Sequence, residues 1–241
     1  MTHAGGDIIT GEKLSTGVNI FATNGGSDSI IGTQGNDFVQ YFGSYNLNLA
    51  RVGRFYCVGN DGNDTIGYNP HHPAGTALSC VSVIDNQSGA TIYGGLGDDE
   101  ISGTTRVGAY EGIGRNPPSI EADFLDGGDG NDTVSGGDGY DTLIGGRGGD
   151  IFVISRSPEF PTIRDFNASE GDKLRAYSGL PTPEQVGFGI SDNFTNDVAH
   201  YHLNTTSGAL WFDPDGRAGA QTASQIAVLL GVSSLSSSSF I

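Results

Sequence analysis

Aspartate recurs every nine residues at Asp123, Asp132, Asp141 and Asp150. Glycines precede the last three at fixed places: Gly128 and Gly130, Gly137 and Gly139, Gly146 and Gly148. The chemistry these types can do is cation binding. A carboxylate is an acceptor-only anion, and glycine lets the backbone turn through positive φ and aim carbonyl oxygens inward. Calcium takes six to eight such oxygens, from carboxylates and backbone carbonyls, at about 2.3–2.6 Å. One turn of this length supplies too few of them. If each unit of nine is half of a coil, units two apart stack about 4.8 Å from each other, as neighbouring strands do. Asp132 then lies over Asp150 and Asp123 over Asp141, and each pair of turns together encloses one ion.

The elements that hold these residues are legible in the same stretch. GGDGNDTVS (127–135), GGDGYDTLI (136–144) and GGRGGDIFV (145–153) share the form G-G-x-G-x-D-x-U-x, with U a large apolar residue. A fixed period of this kind outranks other sequence signals because it sets the architecture. Each unit is a glycine-rich turn closed by aspartate, then a three-residue strand whose Val134, Leu143 or Phe152 must face a core. A flexible Gly/Asp linker has the same composition but no register between its acidic and apolar positions. PSIEADFLD (118–126) is a degenerate copy that keeps Asp123 and Leu125. Weaker copies are TNGGSDSII (23–31) with Asp28, GTQGNDFVQ (32–40) with Asp37, GNDGNDTIG (59–67) with Asp64 and GGLGDDEIS (94–102) with Asp99. DNQSGATIY (85–93) has Ala90 at the aspartate place, and THAGGDIIT (2–10) and LSTGVNIFA (14–22) read as decayed units or coincidence.

These units resemble the RTX, or haemolysin-type, calcium-binding repeat family. The resemblance implies an all-β chain forming a right-handed parallel β-roll, with several Ca2+ ions between stacked turns. The metal ligands expected on that basis are Asp28, Asp37, Asp64, Asp99, Asp123, Asp132, Asp141 and Asp150 with the six glycines named above. Three expected regions follow: a lead-in over 1–22, a roll with loop excursions over 23–153, and a cap over 154–241. Counting every recognised turn as a change of edge puts the turns at 32, 85, 127 and 145 on one edge. Those at 23, 59, 94 and 136 fall on the other. The segments 41–58, 68–84 and 103–117 are then excursions from a single roll, the alternative being two short rolls divided near residue 110.

Charge narrows the partners. Among 241 residues Lys and Arg number 11 against 28 Asp and Glu, a net charge of −17. Nucleic acid is excluded as a partner, because phosphate binding needs the opposite sign. The N-terminus MTHAGGDIITGEK has neither the basic nor the apolar region of a secretory signal peptide, and Ile226–Leu230 is too short to span a bilayer. Cys57 and Cys80 fit either one disulfide in an oxidising compartment or two buried thiols.

Past Val153 the pattern changes. ISRSPEFPTIRDFNASEGDKLRAY (154–177) resembles the segment that closes RTX rolls, where Asp165 and Asp172 either bind a further ion or cap the open end. Strands are expected at 186–190, 198–203 and 208–212, with NTTSG as a turn. Thr222–Leu230 reads as a short amphipathic helix with Ser224 as N-cap and Gly231 as stop. His200 and His202 share one strand face and read as surface or interface residues. His71 and His72, in NPHHPAG, read as exposed loop residues. FDPDG (212–216) opens like an EF-hand loop but has Ser224 where the bidentate Glu belongs. The ending SSLSSSSFI has the loose character of an uncleaved RTX export signal, so the resemblance implies type I secretion to the extracellular space of a bacterium.

No H-E-x-x-H or G-x-S-x-G motif is present, and no catalytic or pore-forming segment is expected upstream of the repeats. The leading expectation is a non-catalytic calcium-binding roll that works at a surface or in a matrix. Two other classes stay open, a polysaccharide-active enzyme and a carbohydrate-binding module. Either would use the aromatic residues of the excursions: Tyr41, Phe42, Tyr45, Phe55, Tyr56, Tyr68 and Tyr110.

Overall fold

The short strands of the main repeats bury their middle side chain and leave its neighbours on the outer face. In Thr133–Ser135 the middle Val134 is buried, and its neighbours stand on the outer face. This alternation follows from the two-residue period of a strand, and Thr, Val and Ile suit the pleated surface. The computed structural model describes residues 8–10, 16, 19–23, 28–35, 38–42, 55–61, 65–67, 89–103, 122–177, 180, 186–189, 201–214 and 223–241. Its strands begin with β1 (Ile8–Thr10), β2 (Asn19–Thr23), β3 (Asp28–Ile31), β4 (Phe38–Phe42), β5 (Phe55–Asp61) and β6 (Thr65–Gly67). The main repeats give β7 (Thr91–Leu96), β8 (Glu100–Ser102), β9 (Phe124–Asp129), β10 (Thr133–Ser135), β11 (Thr142–Arg147) and β12 (Ile151–Ser155). The remainder gives β13 (Thr162–Ile163), β14 (Lys173–Tyr177), β15 (Val186–Gly189), β16 (Tyr201–Asn204), β17 (Ala209–Phe212) and β18 (Ser224–Leu229).

Odd-numbered strands up to β13 pair in parallel in one sheet, and even-numbered strands up to β14 pair in parallel in the other. The chain therefore crosses from sheet to sheet at every turn. It is a parallel β-roll. In the first sheet one apolar column runs Ile30, Cys57, Ile92, Leu125, Leu143, Ile163 and Leu229, in direct register and all buried. Ile101, Val134, Phe152 and Leu174 form the facing column. Burying one such side chain is worth about 1.5–3 kcal/mol. Cys57 takes a core place as a small apolar residue, and Cys80 lies outside the described residues.

The edges differ from the expected assignment. Asn60, Gly95, Gly128 and Gly146 are mutually in register, and Gly32 donates to the Val58 carbonyl at 2.7 Å. The turns at 32, 59, 94, 127 and 145 thus share one edge, whereas Ala90, Asp123 and Asp141 share the other with the turn at 136. The turns at 59, 85 and 94 were therefore expected on the wrong edges. The cause is that the long connections from β4 to β5 and from β8 to β9 each carry a crossing but hold no recognised turn, so the turns between them were counted one edge out. The chain leaves β8 at Gly103 and re-enters before β9 at Asp123 on one edge, so 103–123 counts once. β7 pairs directly with β9, and the sheets run unbroken past residue 110.

The first sheet continues without a break into the cap. β18 pairs in parallel with β13 and antiparallel with β17, which forms a hairpin with β16 through the turn at 205–207. The expected helix over Thr222–Leu230 is instead the strand β18. One to two turns of isolated helix are marginal in water, while the strand satisfies its backbone on both sides and buries Ile226, Ala227 and Leu229. His202 is 1% exposed, not a surface residue. His71, His72 and His200 lie outside the described residues.

Candidate metal centre

Gly146 and Gly148 show how the turn is built. Their φ angles are +101° and +132°, a region that costs other residues about 1–2 kcal/mol. Each also lies so close to the preceding coil that a Cβ would strike the carbonyl oxygens of Gly128 and Gly130. Those carbonyl oxygens therefore lie directly against the next coil. Gly137 and Gly139 have positive φ as well, on the other edge.

The aspartates form two ladders. On one edge Asp99 donates its N–H to Oδ1 of Asp132 at 2.8 Å, and Asp132 to Oδ1 of Asp150 at 2.9 Å. Asp150 donates to Oδ1 of Asp172 at 2.9 Å. On the other edge Ala90 donates to Oδ1 of Asp123 at 2.6 Å and Asp123 to Oδ1 of Asp141 at 2.8 Å. One carboxylate oxygen of Asp123, Asp132, Asp141, Asp150 and Asp172 is thereby spent on the neighbouring coil. The stacking of Asp132 with Asp150 and of Asp123 with Asp141 is that of the nine-residue register.

The second oxygen faces inward. Oδ2 of Asp132, Asp141 and Asp150 is buried and accepts no hydrogen bond. A Cβ placed on Gly127 would strike Asp132 Oδ2 and the Gly145 carbonyl oxygen, and one on Gly145 would strike Asp150 Oδ2. Likewise Gly136 lies against Asp141 Oδ2, Gly94 against Asp99 Oδ2 and the Gly127 carbonyl, and Gly103 against Asp123 Oδ2 and the Gly136 carbonyl. Carboxylate and carbonyl oxygens converge at Gly94, Gly103 and Gly127.

Such burial is unfavourable for anions. Burial, followed by the charges of Asp98, Asp126 and Asp129, raises Asp132 to about 6 against the bond from Asp99. Burial, then Asp123, Asp138 and Glu159, lifts Asp141 to about 8. Burial, then Asp172, Asp132 and Asp165, lifts Asp150 to about 7. Arg147 pairs with Asp129 at 3.4 Å, but both side chains point to solvent and neutralise nothing inside. Oxygen donors without nitrogen or sulfur, anionic and partly backbone, fit a hard divalent cation such as calcium. Among the described residues no three His, Cys, Asp or Glu side chains gather at one point. Carboxylates come in pairs here, and carbonyls must complete any site.

The ladder ends differently from how it runs. Asp172 Oδ2 accepts the Asn167 N–H at 2.8 Å, so both its oxygens serve amides. Asp165 accepts from Gly145 and Gly146 at 3.0 and 2.9 Å. Of the two roles open to these residues in the sequence, capping is the one their hydrogen bonds fill. Asp28 begins β3, and Asp37 and Asp64 lie outside the described residues.

A family model described as the RTX calcium-binding nonapeptide repeat matches residues 15–40, 91–105 and 119–152, in four copies. These are RTX calcium-binding repeats. The RTX match covers both aspartate pairs of the main block and Asp99. Among solved structures similar to this β-roll is the AlgE6R3 subunit of the Azotobacter vinelandii mannuronan C5-epimerase. That likeness has 26% identity and a TM-score of 0.38, covering 63% of this chain and 76% of the other. No curated protein matches the sequence. No helix among the described residues is long and apolar enough to cross a membrane.

Proposed function

We propose that this RTX roll is an exported, non-catalytic protein whose folding is driven by extracellular calcium. The observation that carries the reading is the set of buried Oδ2 atoms on Asp132, Asp141 and Asp150, which accept no hydrogen bond and lie against the glycines that open the turns, with the Gly145 carbonyl beside that of Asp132. Buried ionised groups without a partner are strongly unfavourable. With 28 acidic against 11 basic residues, a compact chain also repels itself. The repeats offer one large apolar residue in nine to oppose this. A ligand bound only by the native state adds about 2.7 kcal/mol per site at a hundredfold excess over Kd, and several sites multiply it. In a low-calcium cytosol the chain stays unfolded and fit for a type I exporter; outside the cell it folds and works at a cell surface or on polysaccharide. The test is far-UV circular dichroism with scattering radius, in millimolar calcium and in chelator. Expansion and loss of the β signal in chelator are expected. A compact β-rich chain in excess chelator at neutral pH overturns the reading.

A further inference from the structure

Three consecutive residues, Asp172, Lys173 and Leu174, join the end of the aspartate ladder to the segment 232–241. Asp172 Oδ1 takes the Asp150 N–H at 2.9 Å, and the Lys173 N–H donates to the Asp150 carbonyl at 2.7 Å. From the same three residues, Lys173 Nζ donates to the Ser238 carbonyl at 2.7 Å, and the Leu174 carbonyl takes the Ile241 N–H at 3.0 Å. Leu174 and Phe240 form a parallel bridge, so the segment extends the second sheet beyond β14. Phe240 is 4% exposed, with its ring 4.9 Å from that of Tyr201, and Leu235 is buried with it. The segment is rich in serine, and it is held by the Leu235 and Phe240 side chains, the Lys173 and Ile241 bonds, the bridge and a short 3₁₀ turn at Ser237–Ser239.

The geometry points to a strap whose closure reports the state of the last calcium turn. When the Asp150 turn is ordered by a cation, its N–H and carbonyl fix Asp172 and Lys173, and β14 presents Leu174 to the strap. When that turn loosens, β14 loses its registration and the strap opens, while the Asp123–Asp141 pair on the other edge reaches the strap by a longer route, from the Thr162 N–H on the Asp141 carbonyl at 2.8 Å through β13 and β18. Coupling of this kind is reciprocal, so a weakened strap must loosen the Asp150 turn in return. The inference rests on the calcium reading above.

Amide exchange followed by mass spectrometry tests it on the full chain. In saturating calcium, Asp150→Asn is expected to speed exchange across 232–241 at least tenfold over the wild type, and Asp123→Asn to change it less than twofold. In the reverse arm, Phe240→Ala is expected to speed exchange across 145–152 and to spare 118–126. That arm decides if Asp150→Asn does not fold. If calcium leaves wild-type exchange unchanged throughout, the calcium reading falls and the strap coupling with it. If calcium protects 118–152 while the strap exchanges alike in calcium and chelator, the coupling alone is overturned. Equal effects of Asp150→Asn and Asp123→Asn on the strap also overturn it.

Discussion

Asp132 and Asp150, one coil apart, are joined by a 2.9 Å hydrogen bond from the N–H of the first to Oδ1 of the second. The bond divides the Asp150 carboxylate between two tasks. Oδ1 fixes the stacking of the turns, and Oδ2 is left buried without a hydrogen bond. Asp172 repeats the first task but gives its other oxygen to Asn167. Position in the ladder therefore does not by itself make an aspartate a ligand; the fate of Oδ2 does.

Isosteric substitution separates the two tasks. Asn at 150 keeps an oxygen for the Asp132 N–H but puts a donor where the cation ligand stood. Asp150→Asn is expected to lower the calcium stoichiometry by one. Asp172→Asn leaves a donor against the Asn167 N–H, costs about 1–3 kcal/mol of stability, and retains every ion. Equilibrium dialysis against calcium counts them; a lost ion in Asp172→Asn would place a site where the hydrogen bonds leave none.

Asp141→Ala is expected to harm folding more than Asp28→Ala. The first change removes the acceptor of the Asp123 N–H and a proposed ligand from the middle of the uninterrupted array. Asp28 belongs to a weak early copy of the unit. Calcium titrations followed by circular dichroism should give a midpoint at least tenfold higher for Asp141→Ala than for Asp28→Ala. Equal midpoints would refute the ranking.

Gly146→Ala and Gly231→Ala share a backbone cost but differ in space. Both glycines have positive φ, +101° and +76°. A methyl group at 146 collides with the Gly128 carbonyl oxygen, whereas one at 231 meets nothing within 4 Å. Gly231→Ala is expected to cost about 1 kcal/mol, while Gly146→Ala, pushing coils apart at a cation site, is expected to abolish calcium-driven folding. Thermal melts in saturating calcium compare them, and similar melting temperatures would show that the coils can part without loss.

Much of this was legible because the nine-residue register fixes two things at once. It sets which apolar residue enters the core and which aspartate stacks on which, so Leu125, Leu143 and Phe152 are core residues and Asp132 lies over Asp150. The edges at 59, 85 and 94 were not legible, since connection length carries no information on how often the chain crosses between sheets. Nor was β18. Ser224–Leu229 has no local strand signal stronger than its helical pattern, and its fate is decided by β13 and β17 on either side. The division of labour between Oδ1 and Oδ2 is likewise a property of stacked coils, absent from any single unit.

Acid should substitute in part for calcium. Asp132, Asp141 and Asp150 have a pKa of about 6, about 8 and about 7 in the calcium-free roll, against 3.8 for an unperturbed Asp. The folded values are the higher ones, so the folded chain holds more protons over this range, and its calcium-free stability must fall as pH rises. That stability is fully present below about 4 and is lost as pH passes through about 6 to about 8. Calcium needs the ionised carboxylates, so its binding shows the opposite trend and releases protons. In chelator the chain is expected to keep more β structure at pH 5 than at pH 8.5. The calcium midpoint is expected to fall steadily between those values and to level off above them. Titration calorimetry in two buffers of different ionisation enthalpy counts the protons released, with up to three expected from these residues at pH 5.5. A calcium midpoint that stays constant from pH 5.5 to 8.5, with no protons released, would mean that the buried aspartates are not the ligands.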